Sequence, residues 1–282
     1  MKSNNLFVTS MTFLCVLGGL CPVFLSNVSI STLAVLLVIS VVFVLFAFYA
    51  YGYLRPLGIT KIAACIFSLL SCSVTLCIGA KLLIAAKVLD KSYLMFVLLL
   101  GTITAAFFAV SKISAIKSVS LIFSVLVLSA LILSLVLCLL DTDFLPPDTG
   151  NIDLKMLALL SILAISDIVV IFPISKSKSP LPFIVGTLCA FAVTGAFVTC
   201  ALCVLSPAVY RAQDTPLLAL LQSAYIASFV NRFEIVSVSI LQISCVIKSG
   251  LTLAAAVRFV PRKYTAFIPI FVFVTALLVS FL

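Results

Sequence analysis

Ionisable side chains are scarce in this sequence, and the few that fall inside long apolar runs are the ones whose chemistry stands out. Asp167 sits in Ser166-Asp167-Ile168, six residues before Pro173. That is about 9 Å of helix, too deep for a short carboxylate to reach water easily. Two readings fit it: a protonated or serine-bonded aspartate near the interface, or a substrate- or proton-linked carboxylate at a helix discontinuity. Lys248 lies 14 residues after Glu234 and 10 before Arg258, roughly 21 Å and 15 Å along a helix, well inside its own span. It is read either as a snorkelling lysine or as an ion- or proton-coupling group. Glu234 falls in the first turn of that helix, where a carboxylate suits the macrodipole, and Arg232 precedes it by two. A helix-start role and a coupling role are both open for this pair.

Two interruptions accompany these residues. Gly18-Gly19, followed by Cys21-Pro22, breaks the first apolar run; a second break falls near Ser166-Asp167 or Pro173. Small residues in a membrane helix serve close packing, whereas a broken helix exposes backbone groups to a ligand or ion. The second option makes Gly18, Gly19, Ser166 and Asp167 the candidate ligand-binding set. Lys248, Glu234 and Arg232 form a coupling or structural set.

Other chemistry is thin. Ten cysteines nearly all fall inside apolar spans and read as small hydrophobes; Cys200-Ala-Leu-Cys203 has redox spacing without a soluble βαβ setting. There is no histidine, no nucleophile–base arrangement and no metal-ligand cluster, so neither an enzyme nor a metal or other cofactor is expected. Leu17-Gly18-Gly19-Leu20-Cys21 looks superficially like a lipoprotein box, but Leu20 stands where a small residue belongs. The first span is therefore read as retained rather than cleaved.

The elements that must position these residues follow from composition. Of 282 residues, 65% are hydrophobic and 9% charged, which leaves too little polar cover for a soluble domain and too much apolar surface for disorder. The runs are continuous rather than alternating, so the spans are helices and not barrel strands. Uncharged stretches of 52, 19, 20, 23, 32 and 19 residues begin at positions 3, 62, 92, 118, 179 and 264. About 20 apolar residues cross the hydrocarbon core, so the first stretch holds two spans, split near Ser26-Asn27-Val28-Ser29.

Nine spans are expected: 7–25, 31–53, 62–88, 92–110, 116–140, 156–174, 182–206, 232–258 and 264–282, with 217–230 half-buried or interfacial. With the N-terminus cytoplasmic, ten basic residues lie in inner loops and four in outer ones. The net charge of +9 is then a topology signal that suits anionic headgroups, and nucleic acid is not a partner. Breaks in the first and sixth spans are what a five-plus-five inverted repeat predicts. One integral membrane domain results: 1–140 as the first repeat, an acidic extracytoplasmic loop at 141–155, and 156–282 as a second repeat lacking its last helix.

The C-terminal third adds a family likeness. Thr215-Pro216, Ala224-Tyr225-Ile226, Arg232-Phe233-Glu234, Val246-Ile247-Lys248 and Ala254-Ala255-Ala256 together resemble the GerAB-type spore germination proteins. In that family a proline-led segment enters a helix beginning Arg-Leu-Glu, with a hydrophobic-Lys pair about two-thirds along. The likeness covers about 215–275, with weaker echoes at Leu145-Pro146 and at Asp167, where the family tends to carry Glu. The family is longer by a tenth helix.

The resemblance implies the B subunit of a nutrient germinant receptor, similar to amino-acid permeases of the APC superfamily and LeuT-like in fold. It also implies A- and C-type partner subunits, a small nutrient ligand such as an amino acid, and residence in the spore inner membrane. A proton-coupled amino-acid transporter and a non-transporting membrane scaffold are the alternatives.

Overall fold

Inside a bilayer the backbone has no water to bond, and a helix satisfies its own amides within one segment. The computed structural model describes residues 2–53, 58–139, 150–175, 177–205, 207–223, 234–260, 265 and 267–281, and every regular element among them is helical. In chain order these are α1 (Lys2–Leu20), α2 (Ile30–Tyr53), α3 (Gly58–Ala85), α4 (Leu94–Val110), α5 (Ile113–Leu139) and α6 (Leu154–Leu160). The second half holds α7 (Ser166–Ser175), α8 (Leu181–Leu205), α9 (Pro207–Ala212), α10 (Pro216–Ser223), α11 (Glu234–Phe259) and α12 (Phe267–Phe281). A 3₁₀ turn at Cys21–Leu25 prolongs α1, another at Lys91–Tyr93 leads into α4, and a π-helical turn at Ser161–Ile165 joins α6 to α7.

Among the described residues, seven helices are long and apolar enough to cross a membrane: α1 with its 3₁₀ turn, α2, α3, α4, α5, α8 and α11. This is the make-up of an all-α polytopic membrane protein. Two of the nine expected spans fall short of that length. The sixth is divided by the π turn into helices of seven and ten residues, and α12 has 15. In the segment expected at the interface, α10 seals its leucines 217, 218, 220 and 221 against α8 and the 3₁₀ turn. Residues 224–233, which include Arg232, and 140–149 of the acidic loop lie outside the described residues.

Burial sorts the helices into two layers. The most apolar windows of α1, α11 and α3 are 83%, 78% and 67% buried, while those of α2, α4 and α5 are each 28% buried. The first three form the interior, and the last three turn most of their apolar surface outward, where lipid takes the place of a protein neighbour. Serines and threonines inside the spans bond carbonyls of their own helix: Thr12 to Val8, Ser40 to Leu36, Thr102 to Leu98, Thr187 to Phe183 and Thr194 to Ala190. A hydroxyl can thus be carried into the bundle without leaving a donor bare.

Hydrogen bonds identify the two ends of the bundle. At one end, Lys117 Nζ donates to Asn4 Oδ1 at 2.6 Å and Asn4 Nδ2 to the Ser175 carbonyl at 3.4 Å, joining α1, α5 and α7. At the other, Asn27 Nδ2 donates to the Tyr210 carbonyl at 3.0 Å and Ser29 Oγ to the Asn151 carbonyl at 2.7 Å.

Candidate functional site

The first interruption lies slightly later than the glycines. Gly18 and Gly19 remain helical, and winding changes at Cys21, because glycine only loosens a helix whereas Pro22 lacks the N–H that would bond the carbonyl four residues back. That carbonyl belongs to Gly18. Cys245 on α11 supplies a substitute, its Sγ donating to the Gly18 oxygen at 3.9 Å. Cys21 Sγ in turn donates to the Leu241 carbonyl at 3.8 Å.

The second interruption is a π turn, Ser161–Ile165, immediately before Ser166-Asp167. A π turn inserts a residue into the ladder and displaces a carbonyl from its usual partner. Here Lys248 Nζ donates to the Leu163 carbonyl oxygen. Lys248 is fully buried, the one charged side chain so buried among the described residues. Irregular carbonyls in two different spans are therefore both met by α11, from Cys245 and Lys248, three residues apart on one helix face.

The two interruptions also touch each other. A Cβ placed on Gly19 would overlap the Leu163 carbonyl oxygen and lie 2.5 Å from Ala164 Cα; one on Gly18 would lie 3.0 Å from Lys248 Cβ. Both glycines are needed so that α1, the π turn and α11 can meet backbone to backbone. The junction is close-packed, with Leu17, Leu20, Ala164 and Cys245 at 0% exposure.

Of the candidate residues, Gly18, Gly19 and Lys248 are thus brought into one contact. Ser166 and Asp167 open α7 directly after the π turn, but their side chains lie outside the described residues. Glu234 begins α11, whose middle carries this contact, and its side chain also lies outside the described residues. Among the described residues no group of three or more His, Cys, Asp or Glu side chains is placed to hold a metal ion. A largely apolar cavity of about 920 Å³ lies apart from the junction, between α3, α4, α5 and α11, and includes Gln242 in its wall.

Sequence reasoning missed Cys21 and Cys245 as junction residues. Their spacing from Pro22 and Lys248 was the available signal. Leu163 gave none, because it contributes a backbone oxygen.

Fold and junction together define a class: a helical membrane protein in which the irregular turns after α1 and before α7 are joined through α11. No family model, curated protein or solved structure matches the chain.

Proposed function

We propose that this chain is the membrane subunit of a spore nutrient-germinant receptor. In this reading a bundle of nine spans, N-terminus cytoplasmic, senses a small nutrient such as an amino acid from the spore inner membrane. It relays the event to A- and C-type subunits. The observation that carries the reading is the meeting of Gly18-Gly19 with the π turn under Lys248. Transporter-like folds place ligand sites where two discontinuous helices approach each other.

A ligand shifts such a bundle only through different affinities for two arrangements. Lys248 is suited to mark the difference, since separating α11 from the π turn strands both an ammonium and a carbonyl in an apolar interior. Ligand settling beside Gly18, Gly19, Ser166 and Asp167 exchanges that contact for its own polar groups. Spores carrying Asp167→Asn or Lys248→Ala, at wild-type protein abundance, are expected to lose their response to nutrient. Wild-type germination in both removes the site. Uptake of labelled amino acid into proteoliposomes under a pH gradient, with no germination defect, replaces the receptor by a transporter.

A further inference from the structure

At the end of the bundle opposite Asn4 and Ser175, Asn27, Ser29, Asn151, Asp153, Tyr210 and Arg211 line a polar cup of about 480 Å³. Its groups serve one another. Asn27 Nδ2 and Ser29 Oγ donate to the Tyr210 and Asn151 carbonyls, and the buried Tyr210 O–H donates to the Val28 carbonyl at 2.8 Å. Asp153 Oδ1 accepts from the Lys155 and Met156 amides at 2.9 and 3.1 Å. The cup is a seam between turns.

The larger cavity, about 920 Å³ between α3, α4, α5 and α11, is of another kind. Among the described residues lining it none is charged, and five are aromatic: Tyr93, Phe96, Phe107, Phe108 and Phe123. Two of its polar side chains are spent within α4 and its cap. Thr104 Oγ1 donates to the Leu100 carbonyl and Ser111 Oγ to the Phe107 carbonyl, each at 2.8 Å. Tyr93 stands in the turn before α4, 53% exposed, at the level where phenols meet headgroups. That leaves Gln242, eight residues after Glu234 and about 12 Å along α11, deeper than the headgroups.

Gln242 Oε1 is sealed off and accepts no hydrogen bond. A Cβ on Gly79 of α3 would overlap this oxygen and lie 2.9 Å from Gln242 Cδ. The amide therefore aims its oxygen at the Gly79 Cα–H, a weak donor, and the reverse orientation would set N–H against C–H. Nε2 is the end turned away from α3, on the side of the cavity that Gln242 lines. Among the described residues it has no acceptor. An amide nitrogen in an apolar wall is costly until something accepts from it.

The wall selects its occupant. A charge finds no counter-ion there, and a strongly polar molecule finds too few partners. Phe96 and Phe107, 58% and 74% exposed on α4, leave the cavity open to the bilayer, so entry is lateral. Aromatic side chains favour a flat ring among them, and a bare N–H requires an acceptor. We propose that this cavity binds an uncharged aromatic carbonyl compound dissolved in the lipid, the chemistry of a quinone head group, whose oxygen accepts from Gln242 Nε2. The volume lies within the usual range for small-molecule sites, about 300–1,000 Å³. Such a site stands or falls apart from the germinant reading and the junction.

Benzophenone is a suitable probe, being itself an uncharged aromatic ketone that marks neighbouring C–H bonds under near-ultraviolet light. The full chain in nanodiscs is irradiated with it, and labelled peptides are located by mass spectrometry. Label is expected to concentrate on 96–108 and 243–247. It is expected to fall about tenfold in Gln242→Met, which keeps the side-chain length and removes the donor. Thr104→Phe, which fills the space, is expected to abolish it. On the wild-type chain, phenyl benzoate carries a carbonyl and diphenylmethane lacks one. The first is expected to block labelling at about tenfold lower concentration than the second, a comparison that holds even if a variant fails to fold. Label spread evenly over the exposed faces of α2, α4 and α5, or wild-type labelling in Gln242→Met, overturns the inference. Equal blocking by the two competitors also overturns it, and makes the cavity a resting place for bilayer acyl chains.

Discussion

The junction at Lys248 and the cup at Arg211 are both polar regions in an overwhelmingly apolar chain, and they solve the problem of polarity in opposite ways. At the junction, a buried ammonium and a thiol serve backbone carbonyls that Pro22 and the π turn release. Atoms there are in van der Waals contact, and two consecutive glycines of α1 are required at the closest approach. At the cup, charges stand on the walls of an open space, and the hydrogen bonds run around it, tying turn to turn. A sealed polar contact resists change until the helices move. An open one can be solvated without any such movement.

The largest expected effect comes from filling the junction. Gly19→Val places methyl groups against the Leu163–Ala164 backbone, which cannot rotate aside as a side chain does. Overpacking of this kind costs about 1–3 kcal/mol or more. The measurement is thermal stability of the detergent-solubilised chain, alongside its recovery from the membrane. A variant as stable as wild type would mean that α1 and the π turn do not touch, and the contrast between sealed and open regions would collapse.

Replacing Lys248 sharpens the same contrast. Lys248→Ala leaves the Leu163 carbonyl without its donor and opens a void, together expected to cost about 2–5 kcal/mol. Lys248→Met keeps most of the volume and removes a charge that is expensive to bury. Its cost is expected to be smaller, about 1–3 kcal/mol, set by the unpaired carbonyl. If methionine destabilises as much as alanine in thermal melts, the lysine matters through its polar head at the Leu163 carbonyl and not through the space it fills.

Legibility in the sequence differs between the two regions for a physical reason. The helical membrane class was readable from continuous apolar runs, because the bilayer dictates length and backbone satisfaction together. Lys248 was visible too, since its distance from both helix ends makes it hard to explain as a topology marker. Its partner was invisible: Leu163 acts through its carbonyl, and a π turn carries no compositional mark. Gly18-Gly19 signalled an irregularity but misplaced it, because proline chemistry at Pro22 and not glycine sets where the winding changes. The cup was the least legible. Asn27, Asn151, Asp153 and Arg211 each read as ordinary turn or loop residues, and only the approach of the turn between α1 and α2, the segment before α6, and α9 assembles them.

The smallest effect tests the rim of the cup alone. Tyr210→Phe removes the O–H that bonds the Val28 carbonyl and leaves the ring in place, a loss expected at about 1 kcal/mol. Its pH dependence separates this bond from general alkaline damage. Burial pushes the Tyr210 phenol up to about 12. An unfolded tyrosine titrates near 10. The folded chain therefore holds this proton where the unfolded chain has released it. The stabilisation is fully present below about pH 10 and is lost as pH rises through about 12. Melting curves collected across that window are expected to fall more steeply for wild type than for Tyr210→Phe. Parallel curves would place the phenol in water and detach α9 from the turn between the first two spans. Arg211, one residue along the same short helix, would then have no fixed wall to stand on.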